Sequence, residues 1–518
     1  MSTSRTTTEL PWLIQGGMGV GVSGWRLARA VARTGQLGVV SGTALDTLLI
    51  RVLQTGDPGG HLRRALAAFP VPEVADAVRE RYFVEGGVRS GERFAATPRL
   101  TADEACPARS LTVVANFCEV WLAKQGHDGV VGVNYLEKIQ LATLPAMFGA
   151  ILAGVDYVLV GAGIPAQIPR IADELTRCEP VTARATVEGD EQPLTLRFDP
   201  AAVLRGAGPG PLRRPRVLAI VSLPALAAYL NRDEETRPDG FVIEGHSAGG
   251  HSAPPRGPLR LDEHGDPVYG PRDTPDFTKM TALGLPFWIA GGQCGPDQLR
   301  RARAMGAAGV QLGSVFALCE ESGLDEGLRR DLVERELAGE LTVHNDPAAS
   351  PTAFPFKVAD LPGTLADPDT SAHRARVCDL GYLRTPYRTD RGTIGYRCPA
   401  EPAAAYVRKG GAPEQTEGRQ CLCNGLLAAV GLGQRRPRGV VEPPIVTIGQ
   451  DLEFLRHIAP DGGRYSAETV VRWLATGLTE TAPASVPSPA PASVPSPASV
   501  PSPAPASAPA SASASAPV

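Results

Sequence analysis

A chain of 518 residues with 43% hydrophobic content has room for one large domain plus an accessory region, which excludes a single small module. Its net charge of -4 leaves no clustered basic footprint for nucleic acid or an anionic membrane surface, so the expected partner is a small molecule. Nine cysteines over this length fit a reducing compartment better than a disulfide scaffold. Residues 1–10 lack the apolar core of a secretory signal, and no apolar run approaches the roughly 20 residues that span a bilayer. A cytoplasmic location is expected.

Taken in chain order, short runs rich in Val, Ile and Leu alternate with helical patterns, as in a parallel sheet with crossover helices. The predicted strands are 12–15, 38–41, 130–134, 157–160, 217–221, 241–244, 287–290 and 309–312. After the first, Ser23 is the expected N-cap of a helix burying Leu27, Ala30, Val31 and Thr34 and stopping at Gly35. Before the eighth, Pro296 and Asp297 open a helix with an apolar face of Leu299, Ala302 and Met305, ended by Gly306. The pattern predicts an α/β protein, a (β/α)8 TIM barrel over residues 1–320 with helical insertions at about 46–106 and 171–216. Residues 321–478 form an accessory C-terminal region read as mostly helical. Residues 479–518 read as a disordered Ala/Pro/Ser tail, in which Ala-Ser-Val-Pro-Ser-Pro recurs at 484, 492 and 498.

The first predicted strand runs into Gln15-Gly16-Gly17-Met18-Gly19-Val20-Gly21-Val22-Ser23-Gly24. Gly19, Gly21 and Gly24 match the spacing of a dinucleotide-binding loop. That fold needs an acidic residue near the end of the next strand, where this chain has Ser41-Gly42-Thr43; Asp46 comes too late. A second near-match at Gly161-Ala162-Gly163 has Pro165 inside its turn and follows the fourth strand. Both read better as glycines that permit tight turns and close packing.

Three other strand ends carry chemistry. Ala290-Gly291-Gly292-Gln293 follows the seventh strand and Gln311-Leu312-Gly313-Ser314 closes the eighth. Those two loops commonly form the phosphate site of such barrels, which makes Gly292, Gly313 and Ser314 candidate phosphate contacts. Glu244-Gly245-His246-Ser247-Ala248-Gly249-Gly250-His251 lies at the end of the sixth strand. Glycines there let the chain lie against a flat ring, and His251 is placed to move a proton at the barrel mouth, while the role of His246 stays open. Cys378, Cys398, Cys421 and Cys423 gather in the accessory region. Their spacing matches no standard zinc or iron–sulfur motif, so they read as buried free thiols and no metal is expected.

Together these motifs resemble the nitronate monooxygenase family, formerly 2-nitropropane dioxygenases, and the related FMN-dependent enoyl-ACP reductases. The resemblance covers roughly residues 11–320. Gln15-Gly16-Gly17-Met18-Gly19 is similar to the family's first flavin loop, and Gly132-Val133-Asn134 to its Gly-Val-Asn, whose asparagine contacts FMN. Ala248-Gly249-Gly250-His251 is similar to its Ala-Gly-Gly-His, whose histidine is the catalytic base. Gly291 and Gly292 with Gln311, Gly313 and Ser314 match its two phosphate loops. Ser247 stands where the family usually has glutamate, Ser252-Ala253 follows where it has Arg-Gly, and Asp276-Phe277-Thr278-Lys279-Met280 replaces its glutamine-containing motif.

The resemblance implies an FMN-dependent oxidoreductase that oxidises nitronates with dioxygen to a carbonyl compound and nitrite, with His251 handling the proton. The alternatives are an enoyl-thioester reductase drawing on NAD(P)H and a flavin-binding scaffold without turnover.

Overall fold

The computed structural model describes residues 9–479; the sequence expectation for the Ala/Pro/Ser tail lies outside the described residues, apart from Thr479. The eight predicted strands are Leu13–Gln15 (β1), Leu37–Ser41 (β2), Val131–Leu136 (β3), Tyr157–Gly161 (β4), Arg216–Val221 (β5), Gly240–Glu244 (β6), Phe287–Ala290 (β7) and Gly309–Leu312 (β8). They pair in parallel and in sequence order, and β1 pairs with both β2 and β8, so the sheet closes into a (β/α)8 barrel. Inside it Ile14, Leu37, Val39, Leu159, Leu218, Val242 and Trp288 fill one packed core, as expected of a barrel interior. Gln15 stands opposite Leu312, Ser41 opposite Asn134, and Glu244 opposite Ala290. The carboxyl ends of these strands therefore share one rim.

The first crossover helix, Trp25–Arg33, buries Leu27, Ala28, Val31 and Ala32. Ser23 does not cap it. Its hydroxyl accepts from Met18 N and donates to Gly16 O, which folds the loop after β1, while Glu119 Oε1 accepts from Trp25 N at 2.7 Å. A carboxylate 94 residues away in sequence replaces the local cap. In the helix Pro296–Ala304, Leu299 and Ala302 are buried as predicted, whereas Met305 follows the last turn and is exposed.

The first insertion is helical, with Leu45–Gln54, His61–Ala67 and Pro72–Tyr82. The second adds an antiparallel hairpin, Val181–Ala185 with Leu194–Phe198. Alternating buried and exposed residues along Val181–Ala185 are the period-two pattern of a half-buried strand, which a helical reading passed over. The C-terminal region mixes helices with two hairpins, Val343–Asp346 with Phe356–Ala359 and Thr385–Arg388 with Ile394–Arg397. It packs with the barrel into one compact unit that runs to Thr479. Among the described residues no helix is long and apolar enough to cross a membrane.

Candidate active site

The loops after β1, β3, β6, β7 and β8 converge on one cavity at the barrel's carboxyl rim. Gly16, Gly17 and Met18 come from the first loop and Asn134 from β3. Gly249, Gly250 and His251 come from the loop after β6, Gly291 and Gly292 from the loop after β7, and Gln311, Gly313 and Ser314 from β8 and its exit. Every candidate cofactor-binding residue of the barrel thus faces the same space. Of the dinucleotide-like triplet, Gly19 lines this cavity, whereas Gly21 and Gly24 line a different one beside Trp25 and Leu48.

Close backbone approach explains two glycines. A Cβ at Gly17 would lie 2.5 Å from Asn134 Cβ. Gly291 has φ of +86°, where a side chain is strained, and its Cβ would press on Gly245 O at 3.0 Å and Ser247 Oγ at 3.1 Å.

Two amide oxygens at the rim, Asn134 Oδ1 and Gln311 Oε1, are buried without a hydrogen-bond partner. Buried acceptors are normally satisfied, so an orphan pair lining one cavity indicates a donor supplied by something that binds there. Glu244 also lines the cavity, and burial raises its carboxyl to about 7 against the opposing pull of Lys357. The sequence reading treated Glu244 only as part of the strand.

His251 lies deep among protein atoms with its ring contributing to the cavity wall, and burial lowers its pKa to about 4. The imidazole is therefore neutral near pH 7. Ser350 Oγ sits 2.7 Å from its Nε2, and the edge of Phe356 packs on the ring at 4.8 Å between centroids. His246 takes a different course. It stacks on Tyr269 at 4.1 Å in a neighbouring cleft with Arg256 and Asp273, so the two histidines serve separate spaces.

The C-terminal region completes the site, which the sequence reading did not anticipate. Thr447 Oγ1 accepts from Gly250 N at 2.9 Å, Gly250 O accepts from Lys357 N at 2.9 Å, and Ser314 Oγ accepts from Gly449 N at 2.9 Å. Gly449 packs against Gly249 so tightly that a Cβ on Gly249 would fall 2.9 Å from Gly449 N. Lys357, fully buried and lowered to about 8 by desolvation, donates to His246 O at 2.8 Å. The only local hint was a glycine in Thr447-Ile448-Gly449, too short a signal to place.

Comparison with known proteins bears on the second half of this rim. Residues 213–345 match the family model described as nitronate monooxygenase. The segment carries β5 to β8 and with them His251, Gly291, Gly292, Gln311, Gly313 and Ser314. A nitronate monooxygenase of Pseudomonas aeruginosa is 32% identical over 147 residues, 27% of this chain and 40% of that protein. One from Paraburkholderia phytofirmans is 36% identical over 97 residues, 18% of this chain and 24% of that protein. The chain thus spans less than half the length of the curated relatives it matches. Among solved structures, nitroalkane oxidase from Streptomyces ansochromogenes is 15% identical with a TM-score of 0.42, over 91% of this chain and 98% of that one. FabK from Thermotoga maritima is 17% identical with a TM-score of 0.37, over 68% and 72%. Ser350, Phe356, Thr447 and Gly449 lie beyond the segment that matches the nitronate monooxygenase model, so the site joins the matched strands to a C-terminal region outside the match.

Cys378, Cys398, Cys421 and Cys423 also come together, around a small enclosed space in the C-terminal region. None is in a disulfide. Among the described residues no three His, Cys, Asp or Glu side chains are disposed to grip a metal ion.

Proposed function

We propose that this chain is an FMN-dependent oxidoreductase that oxidises nitronates with dioxygen, yielding a carbonyl compound and nitrite. The observation that carries the reading is the convergence of the five loops on one cavity lined by a neutral His251. The cavity fits FMN on its own terms, because Asn134 Oδ1 and Gln311 Oε1 are buried acceptors awaiting a donor and a flavin's pyrimidine edge carries an N–H. Gly16, Gly17, Met18, Gly249 and Gly250 would hold the ring system, with Gly291, Gly292, Gly313 and Ser314 taking the phosphate. When bound, FMN supplies the redox centre that the side chains lack.

The chain's own contribution is positioning and proton control. His251 is held by Ser350 and Phe356, so its ring presents one orientation to a substrate. An imidazole lowered to about 4 is a weak base, which suits an anionic nitronate, already deprotonated at carbon, better than a neutral nitroalkane. The neutral ring hydrogen-bonds to the nitronate, and Thr447, Ile448, Gly449 and Asp451 of the C-terminal region line the same cavity.

The test is the visible spectrum of the purified protein, followed anaerobically by nitronate and, separately, by NADPH. Bleaching of a flavin spectrum by nitronate is expected. Bleaching by NADPH alone would assign enoyl-thioester reduction instead, and a colourless protein that takes up no FMN would overturn both.

A further inference from the structure

Side chains alternate along β6. Phe241 and Ile243 belong to the apolar layer between barrel and helices, and Val242 to the core inside the barrel. The period of two puts Glu244 on the same side as Val242, at the carboxyl rim, where it lines the barrel-mouth cavity together with Asn134, Gln311 and His251. Its carboxyl makes no hydrogen bond among the described residues, and the cation acting on it is Lys357, whose ammonium donates to His246 O instead. A carboxylate withdrawn from water stays ionised when donors or a directly paired cation hold it, and Glu244 has neither. It keeps its proton, which agrees with a carboxyl pushed up by burial to about 7.

We propose that Glu244 is a second hydrogen-bond donor to the substrate anion, its carboxyl O–H and the His251 ring together receiving the two nitronate oxygens. The inference rests on the nitronate reading above. A neutral imidazole has one N–H, whereas a nitronate spreads its charge over two oxygens. An ionised Glu244 would set a like charge against that anion in a cavity shielded from water. The protonated acid removes the charge and turns an acceptor into a donor, so binding of the anion is tied to one proton.

The other titratable groups around Glu244 leave this role to it. On the barrel-mouth side His251 is neutral, burial pushes the Cys294 thiol well up, and Asp451 is exposed. On its other side Glu244 borders the cleft that holds His246, Arg256, Tyr269 and Asp273. Asp273 is committed there, accepting from Arg256 N and Gly270 N, each at 2.8 Å, and burial pushes the Tyr269 hydroxyl up. His246 and Arg256 are exposed, so the cleft gives Glu244 a route to bulk protons that does not pass through the barrel mouth.

The full chain loaded with FMN is mixed anaerobically with ethyl nitronate in a stopped-flow spectrophotometer from pH 6 to 9. The bleaching rate against nitronate concentration yields a Kd and a limiting rate at saturation. The Kd is expected to stay level up to about pH 7 and then to rise towards about tenfold per pH unit, as binding that needs one proton does, while the limiting rate stays level. Glu244→Gln keeps a donor and cannot ionise, so its Kd should stay level to pH 9, within about threefold of the parent's value at pH 6. A parent Kd that is flat to pH 9 overturns the proposal. So does an equal rise in Glu244→Gln, which would assign the titration to Lys357, lowered by desolvation to about 8. Should the variant fail to take up FMN, the break in the parent's profile decides: near 7 it belongs to Glu244, near 8 to Lys357, and the latter overturns the proposal. Flavin that nitronate bleaches at no pH would instead overturn the nitronate reading, and this inference with it.

Discussion

His251 Nε2 lies 2.7 Å from Ser350 Oγ, a contact 99 residues apart in sequence that ties the imidazole proposed to handle the proton to the region beyond the barrel. Ser350 is itself fixed, for its oxygen accepts from Thr352 N at 3.2 Å and lies 2.8 Å from Thr352 Oγ1. Removing the hydroxyl leaves one imidazole nitrogen without its partner and frees the ring to turn. Ser350→Ala is expected to lower kcat/KM for nitronate about 10- to 100-fold, the scale of a small misplacement of a reacting group. Flavin content should stay constant and Ser350→Thr should recover most of the rate. Steady-state kinetics on the flavin-loaded variants would refute the role if Ser350→Ala matched the parent.

His251 itself sets the acid limit. Its folded pKa of about 4 lies below the unfolded value of 6.5, so the unfolded chain binds the proton more readily between those values. Stability is therefore lost as pH falls from about 6.5 towards 4. The rate with nitronate should stay flat from pH 8 to about pH 5 and decline only below. His251→Ala should cost about 10²- to 10⁴-fold in rate and soften the acid loss of Tm. A kinetic inflection near 6.5 would mean that the ring is solvated and charged in the working enzyme.

Asn134 and Gln311 lead to a prediction with opposite signs in two states. Because Asn134 Oδ1 and Gln311 Oε1 have no protein partner, Ala at either position removes an unsatisfied buried acceptor and should leave the Tm without flavin unchanged or higher. The stabilisation that FMN adds should shrink in both variants, with about a tenfold weaker Kd each. Thermal melts with and without FMN check this. A lower Tm for both apo variants would show that the amides serve the fold alone.

Much of this was legible because a parallel barrel announces itself locally. Each of β1 to β8 is a short apolar run ended by glycine, serine or a polar residue, and Gly291, Gly313 and His251 sit at those ends, so strand position alone placed them on one rim. The helix before β8 was read from Pro296 and Gly306 for the same reason. What escaped depends on contacts made only after folding. Ser23 looks like a cap and is spent inside its loop, because Glu119 reaches Trp25 N from another helix. Ser350 and Thr447 carry no local signature; their roles exist only because strand 356–359 docks on the loop holding Gly250 and His251.

Glu244 provides the stability test on the alkaline side. Burial raises its folded pKa to about 7, above the ordinary 4.5, with Lys357 as the opposing influence. The folded state therefore holds this proton more tightly than the unfolded chain does. That contribution is complete below about 4.5 and is lost as pH rises through 7. Glu244→Gln keeps the shape and removes the titration, so its Tm should exceed the parent's at pH 8.5, match it near pH 5, and change less between the two. Differential scanning calorimetry of both proteins at pH 5, 7 and 8.5 reads this directly. Parallel curves for the two proteins would mean that Glu244 stays ionised, paired with the Lys357 ammonium, and that the cavity wall beside His251 carries a fixed negative charge. An anionic nitronate would then be disfavoured at that wall, so the same melts bear on the substrate as well as on the fold.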